Sequence, residues 1–168
     1  MSALSHPEPQ TGTRVAVLWV PDWPVAAAIS EGLAAAHEAI AVHDHRQIVV
    51  AGAQARRARR TAQGICPELV LIPADQGRDV RAFEPVVQAA EEVVAHLQVM
   101  RPGLVLTGAR GPARYLGSEE QLAADLIEQV SIHTGAEAQV GVGNGLLAAI
   151  LAARDGVIVP PGGAAEYL

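Results

Sequence analysis

The chain has 168 residues, is half hydrophobic and carries a formal net charge of −6. That length holds one domain with a real core, or a small α/β domain plus a lobe, and the acidic balance argues against general adhesion to nucleic acid. A single Cys excludes an internal disulfide and points to a reducing compartment; no apolar run approaches a membrane span; and all twelve basic residues are Arg, so lysine chemistry is absent.

Residues 1–13 hold Pro, Ser, Gly and Gln without an apolar core segment, and read as a disordered leader rather than a signal peptide. Arg14 to Val20 is a short apolar run that predicts a strand buried on both faces. Pro21 and Pro24 end it. Asp22 is placed to cap the helix that follows, with Pro24 in its first turn, and the Ala-rich stretch Val25 to His37 continues that helix. Ile40 to His43 and Gln47 to Val50 predict two strands of a hairpin around Asp44-His45-Arg46. Gly52 to Gln63 is Arg-dense and helical, with Gly64 as its stop. Leu69 to Ile72 is a further strand, closed by Pro73.

Asp79 to Leu97 repeats apolar residues at helical spacing, from Val80 and Phe83 to Val94 and Leu97. Pro85 favours a start near Glu84. Gln98 to Met100 and Leu104 to Leu106 flank the turn signal Pro102-Gly103. Ser118 caps a helix over Glu119 to Ile132, with Leu122, Leu126 and Val130 on one face. Ala138 to Val142 is a strand, Gly145 to Arg154 a helix and Val157 to Val159 a last strand, before the turn Pro160-Pro161-Gly162-Gly163. Two strand pairs are joined too tightly to be parallel. The order therefore predicts an α+β sandwich with helices on one face, of the split βαβ kind, and not a doubly wound sheet.

Four features bear on chemistry. Asp22, a carboxylate after a core strand, has the chemistry to hold a divalent cation, but phosphoryl-transfer sites use two or more acids and a lone Asp there more often caps a helix. Gly141-Val142-Gly143-Asn144-Gly145 lies between strand and helix, where a glycine-rich turn cradles phosphate. Leu146 breaks the dinucleotide fingerprint and no P-loop Lys follows, so close helix packing is favoured. Arg56, Arg57, Arg59 and Arg60 spread four cations over about one and a half helical turns; contact with a polyanion and a solvated surface are equally open. His43-Asp44-His45 puts two imidazoles on one strand face with no third ligand, which favours a hairpin tip over a metal site. Cys66 reads as a quiet thiol.

Four stretches carry a resemblance. GICPELVLIPAD, Gly64 to Asp75, resembles the CP-x-L-V-V-V-P segment leaving the fingers of Y-family, translesion DNA polymerases. LWVPDWPVAAA, Leu18 to Ala28, resembles that family's opening strand. RPGLVLTGARGPARYLGSEE, Arg101 to Glu120, resembles its central palm hairpin and following helix, and VGVGNGLLAAILAAR, Val140 to Arg154, resembles its G-I-x-x-N-K-L-L-A-K-x-A segment. The four occur in the family's order, and the likeness is strongest to the ImuB branch, a polymerase-like accessory group of bacterial mutagenesis. The resemblance implies a ferredoxin-like βαββαβ palm over residues 14–168, with a small or trimmed fingers insertion at about 44–74. It also implies that the thumb and little finger are absent or incomplete.

The departures matter as much. Where an active member carries D-x-D, this chain has Val20-Pro21-Asp22, so Asp22 is a residual acid at a family metal position. Where an active member carries S-I-D-E, residues Leu97 to Arg114 contain no Asp or Glu. The family's triphosphate-contacting Lys falls at or near Gly145. Two-metal phosphoryl transfer needs a carboxylate set. The expectation is thus a polymerase fold without polymerase activity, with no catalytic residue, metal or cofactor: a scaffold in damage-induced translesion synthesis. The implied partners are an error-prone replicative-type DNA polymerase, a RecA-like accessory protein and the sliding clamp. Weak non-specific DNA contact through Arg56, Arg57, Arg59 and Arg60 is compatible with it, in a bacterial cytoplasmic, nucleoid-associated setting. Two alternatives are an active nucleotidyltransferase using Asp22 with Glu119 or Glu120, and a small-ligand α/β domain using the Gly141 to Gly145 turn.

Overall fold

The computed structural model describes residues 12–45, 47–61, 68–163 and 168. In chain order the elements are β1 (Arg14–Trp19), α1 (Trp23–Ser30), β2 (Ala39–His43), β3 (Ile48–Ala51), α2 (Ala53–Thr61) and β4 (Leu69–Pro73). There follow α3 (Gln76–Glu91), β5 (Gln98–Arg101), β6 (Leu104–Gly108), α4 (Arg110–Leu116), α5 (Glu119–Thr134), β7 (Gln139–Asn144) and α6 (Leu146–Asp155). They form two compact units, Met1–Val20 with Val86–Leu168, and Pro21–Pro85.

The first unit is built on a four-stranded sheet of order β5-β6-β1-β7. Every neighbouring pair is antiparallel, and with α3 and α5 as crossovers this is the βαββαβ, ferredoxin-like arrangement. β1 is central: Leu18 lies between Val105 and Val140, and Ala16 between Thr107 and Val142. Both faces of β1 are covered, as its unbroken apolar run predicts. One face carries Val15, Val17 and Trp19, which pack with Leu104 and Leu106 against Ala149, Ile150 and Ala153 of α6. Helices therefore lie on both faces, not on one. The reason is the spacing of two glycines. Gly141 and Gly143 point to the same side of β7, and a Cβ at Gly141 would fall within the α6 backbone at Ala152–Ala153. A Cβ at Gly143 would stand 3.0 Å from backbone atoms of Ala148 and Ala149. Glycine on the strand and buried Ala148, Ala149, Ala152 and Ala153 on the helix let the two backbones touch. α5 packs against β7 through a stripe of fully buried Leu122, Leu126 and Val130, in the predicted positions, and Ser118 caps it by accepting the Gln121 N–H at 3.0 Å.

The second unit holds a three-stranded sheet of order β3-β2-β4. β2 and β3 form the predicted antiparallel hairpin, and β4 runs parallel to β2. Its core is Val25 and Ala28 of α1 over Ile40, Val42 and Ile72. Helix α1 is shorter than its Ala-rich sequence suggests. Gly32, at φ 78°, stops it, and the Leu33 N–H returns to the Ala28 carbonyl at 3.0 Å. Helix α3 starts at Gln76, not near Glu84, and runs through Pro85. Asp75 sets that start: its Oδ1 accepts the Arg78 N–H at 3.0 Å and its carbonyl the Asp79 N–H at 3.1 Å. Phe83 fixes the same turns by packing edge-on to Trp23, with centroids 4.9 Å apart. Val80, placed on the apolar face by the sequence pattern, is instead exposed. The expected last strand, Val157 to Val159, is reduced to a single parallel bridge from Ile158 to Val142. Pro160–Gly163 forms the predicted turn. The leader through Thr11, Arg46, and the Gly64 and Cys66 region lie outside the described residues.

The glycine contact has a direct test. Gly141→Ala should cost on the order of 3 kcal/mol or more, the upper range for overpacking, because the obstacle is backbone rather than a flexible side chain. Gly143→Ala should cost less. Urea unfolding of the two variants would show this order; equal, small losses would refute the packing argument.

Candidate functional site

The candidate site begins where β1 ends. The Val20 N–H donates to the Gly103 carbonyl at 2.8 Å, which continues the β1–β6 ladder by one residue. Position 20 therefore faces the Pro102-Gly103 turn, where Gly103 adopts φ 93°. Carboxylates on the strand end and on the hairpin would converge here. Instead Val20 is 3 % exposed among apolar neighbours of the sheet, and the hairpin offers Pro102 and Gly103. Among the described residues no group of three or more His, Cys, Asp or Glu side chains is placed to hold a metal ion.

Asp22, two residues on, belongs to the second unit. It stands at the N-cap position of α1, but its side chain caps nothing. The predicted cap fails because Asp22 lies in the left-handed region, at φ 53° and ψ 42°, whereas side-chain capping uses extended backbone. The helix start is held instead by the Asp22 carbonyl, which accepts from Val25 N at 2.9 Å and Ala26 N at 3.2 Å. The carboxylate turns to Arg56 of α2. Nη1 donates to Oδ1 at 3.0 Å and Nη2 to Oδ2 at 2.8 Å, and Nη1 also donates to the Ala51 carbonyl. The hydrogen bonds Arg56 donates to Asp22 raise the Arg56 pKa, against a smaller opposing effect of burial. With side chains 47 % and 26 % exposed, this pair contributes about 1 kcal/mol at most. So Arg56, open from the sequence to phosphate contact or to a solvated surface, is engaged by Asp22. Arg57, the next residue of α2, is also engaged, and the side chains of Arg59 and Arg60 lie outside the described residues.

Glu119, the other acid considered for an enzyme site, is held in the first unit. Both its oxygens are forked by Arg14, at 2.9 Å from Nε and 2.6 Å from Nη2. Arg14 opens β1, and the Val20–Gly103 corner lies at the strand's other end, about 20 Å away at 3.3 Å per residue. Asp22 and Glu119 thus sit in separate units, each with its own arginine. The glycine turn is used for packing, as favoured from the sequence. Gly143 lies under α6, and the Gly145 N–H donates to the Thr13 carbonyl at 3.0 Å. His43-Asp44-His45 is a hairpin tip: Asp44 Oδ1 accepts the Gln47 N–H at 3.1 Å, and the Asp44 N–H donates to the Gln47 carbonyl.

Sequence reasoning missed two buried polar groups on α3. Arg78 is 4 % exposed, and its Nη2 donates to the Pro73 carbonyl at 3.1 Å while its Nε has no partner among the described residues. Asp79 Oδ1 is likewise shielded without a partner among the described residues, although the Asp79 backbone carbonyl takes the Trp23 Nε1–H at 2.8 Å. Burial raises the Asp79 pKa, with Arg78 partly opposing, while the Arg78 N–H lowers that of Asp75. Their signal in the sequence was only two adjacent charges in a helix's first turn.

No protein family and no curated protein matches the sequence. Solved structures do match. A ternary complex of Dbh, with partially disordered substrates, superposes with TM-score 0.70 at 13 % identity, over 89 % of this chain and 46 % of that one. DinB from Sulfolobus solfataricus superposes with TM-score 0.72 at 11 % identity, over 89 % and 49 %. The chain has a Y-family polymerase-like fold. It spans about half the length of these structures. The α+β class read from the sequence and its likeness to the Y-family palm both hold, and among the described residues no helix is long and apolar enough to cross a membrane.

The half-buried Asp79 carboxyl generates a pH prediction. A carboxyl group whose folded pKa is raised adds stability below its unfolded pKa and loses it as pH rises through the folded value. At neutral pH the charged Asp79 is therefore a liability. Asp79→Asn should raise the melting temperature at pH 7, and the gap should close as pH falls below the usual carboxylate range. A variant less stable than the parent at pH 7 would contradict the burial argument.

Proposed function

We propose that this chain is a non-catalytic, Y-family-like module of the ImuB kind, a scaffold in damage-induced translesion DNA synthesis. The observation that carries the reading is the β1–β6 corner, where Val20 is buried against the Gly103 carbonyl and residues 97–114 bring no carboxylate. Hard cations at phosphoryl-transfer sites are held by converging carboxylates, and Asp22 alone, forked by Arg56, is a poor substitute. The separate engagement of Glu119 by Arg14 counts against the rearranged acid set. On this reading the module works in the bacterial cytoplasm at the nucleoid. Its partners are an error-prone replicative-type polymerase, a RecA-like accessory protein and the sliding clamp.

Primer extension with Mg²⁺ or Mn²⁺ tests the loss of chemistry. The purified chain should add no nucleotide to a primed template, and calorimetry should detect no saturable metal binding. Incorporation by the parent that disappears in Asp22→Ala would overturn the reading.

DNA contact, on the same reading, is weak and runs through phosphates at the α2 arginines. Each phosphate bound then adds about 0.7–0.9 to the slope of log affinity against log salt. Changing Arg56, Arg57, Arg59 and Arg60 together to Ser should flatten that slope by this amount for every phosphate the four arginines had neutralised. Unchanged affinity for a fluorescent oligonucleotide at low salt would remove these residues from any DNA surface.

A further inference from the structure

Helix α4 carries an uncompensated cationic and aromatic face. Tyr115 is 90 % exposed, the most exposed large apolar side chain among the described residues. Arg110 and Arg114, one helical turn apart, are both exposed and have no hydrogen-bond or ion-pair partner among the described residues. By contrast, Arg14, Arg56, Arg78 and Arg81 each donate to a carboxylate or carbonyl elsewhere in the fold. Gly111, one turn before Tyr115, has open space where a Cβ would stand, which leaves a strip of bare backbone beside the ring.

The other side of α4 is firmly held. Ala113 is buried, and the Ala109 N–H donates to the Arg14 carbonyl at 2.9 Å. The helix ends on Gly117 at φ 113°, whose N–H returns to Ala113, and it packs against α5. A helix of seven residues does not persist alone; this one is fixed by its neighbours and presents its outer face ready-made.

We propose that this face docks an acidic segment of a partner protein. Two carboxylates meet Arg110 and Arg114, and an apolar side chain lies on the Tyr115 ring over Gly111. Tyr and Arg are the residue types that dominate protein interfaces, and two guanidinium groups with no internal acid complement a short anionic stretch. Nucleic acid fits less well. Two phosphate contacts give a salt slope of only about 1.4–1.8, one ring stacks one base, and α5, packed beside α4, exposes Glu120 and Glu128 to any long polyanion. The inference does not depend on the loss of catalysis argued above.

NMR titration of the intact chain tests it, with a hexapeptide of alternating Glu and Leu as probe. Amide shifts should centre on residues 109–117. Affinity should fall about tenfold, the combined scale of two exposed charge pairs, for the matching Gln and Leu hexapeptide, and by at least as much for Arg110→Glu with Arg114→Glu. Tyr115→Ala should weaken binding about threefold. All three positions are exposed, so melting temperatures should not change. Shifts that are absent from α4, equal for both peptides, or unaffected by the charge reversal would overturn the proposal. So would tighter binding of a twelve-nucleotide oligo-dT at α4, which would make the face a nucleic-acid site.

Discussion

A guanidinium group on a residue that is only 4 % exposed has to be satisfied inside the fold, and Arg14 has its guanidinium satisfied by three segments at once. It forks Glu119 at the start of α5, donates to Asn144 Oδ1 at the end of β7 at 3.0 Å, and donates to the Val159 carbonyl at 2.7 Å. Its own carbonyl takes the Ala109 N–H where β6 gives way to α4. Breaking a fully buried pair typically costs about 3–5 kcal/mol; with the Glu119 side chain 24 % exposed, removing Glu119 should cost less than that but still strand a buried cation. The node therefore sets the register of β1 against β7 and also seats the N-terminal ends of α4 and α5. The fixed position of the α4 face is a consequence of the same contact.

The second constraint is steric. A sheet that carries helices on one face only leaves its other face to water. Here Val15, Val17 and Trp19 would lie on that face, and α6 covers them. The covering works because β7 has no side chains at Gly141 and Gly143 and because α6 meets it with alanines. The Gly141–Gly145 stretch resembles a phosphate-binding turn in composition, yet Gly141 and Gly143 are consumed by backbone contact with α6, and the Gly145 N–H is taken by the Thr13 carbonyl. A glycine motif reports close approach; whether a ligand or a helix approaches is decided by what faces it.

Much of the architecture was legible because it rests on local rules. The two hairpins follow from short turns, the Ser118 cap from its side chain, and the α5 stripe from helical spacing. The failures share a different cause. Asp22 looked like a cap because its neighbours looked like a helix start, but the left-handed backbone at that residue is not encoded in residue type alone. Pro85 is a helix breaker by its local chemistry, but the Asp75 cap and the Trp23–Phe83 contact outweigh it and α3 starts at Gln76. The arginine pairs with Asp22 and Glu119 join residues 34 and 105 positions apart, beyond the reach of any local pattern. A general rule would still have flagged Arg14: a charge at the head of an otherwise apolar strand needs a distant partner.

The corner at Val20 is held by packing. An acid at that position would put a charge where the side chain is 3 % exposed, and a buried charge with no partner is costly. A bound cation can offset that cost only if further carboxylates share it, and the Pro102-Gly103 turn opposite supplies none. Val20 satisfies the same site by packing alone, with its backbone still bonded to Gly103. The sheet thus keeps its strand order and its core without the electrostatic demands of a metal site. Strand order and core at this corner therefore rest on apolar packing and on the one hydrogen bond between Val20 and Gly103.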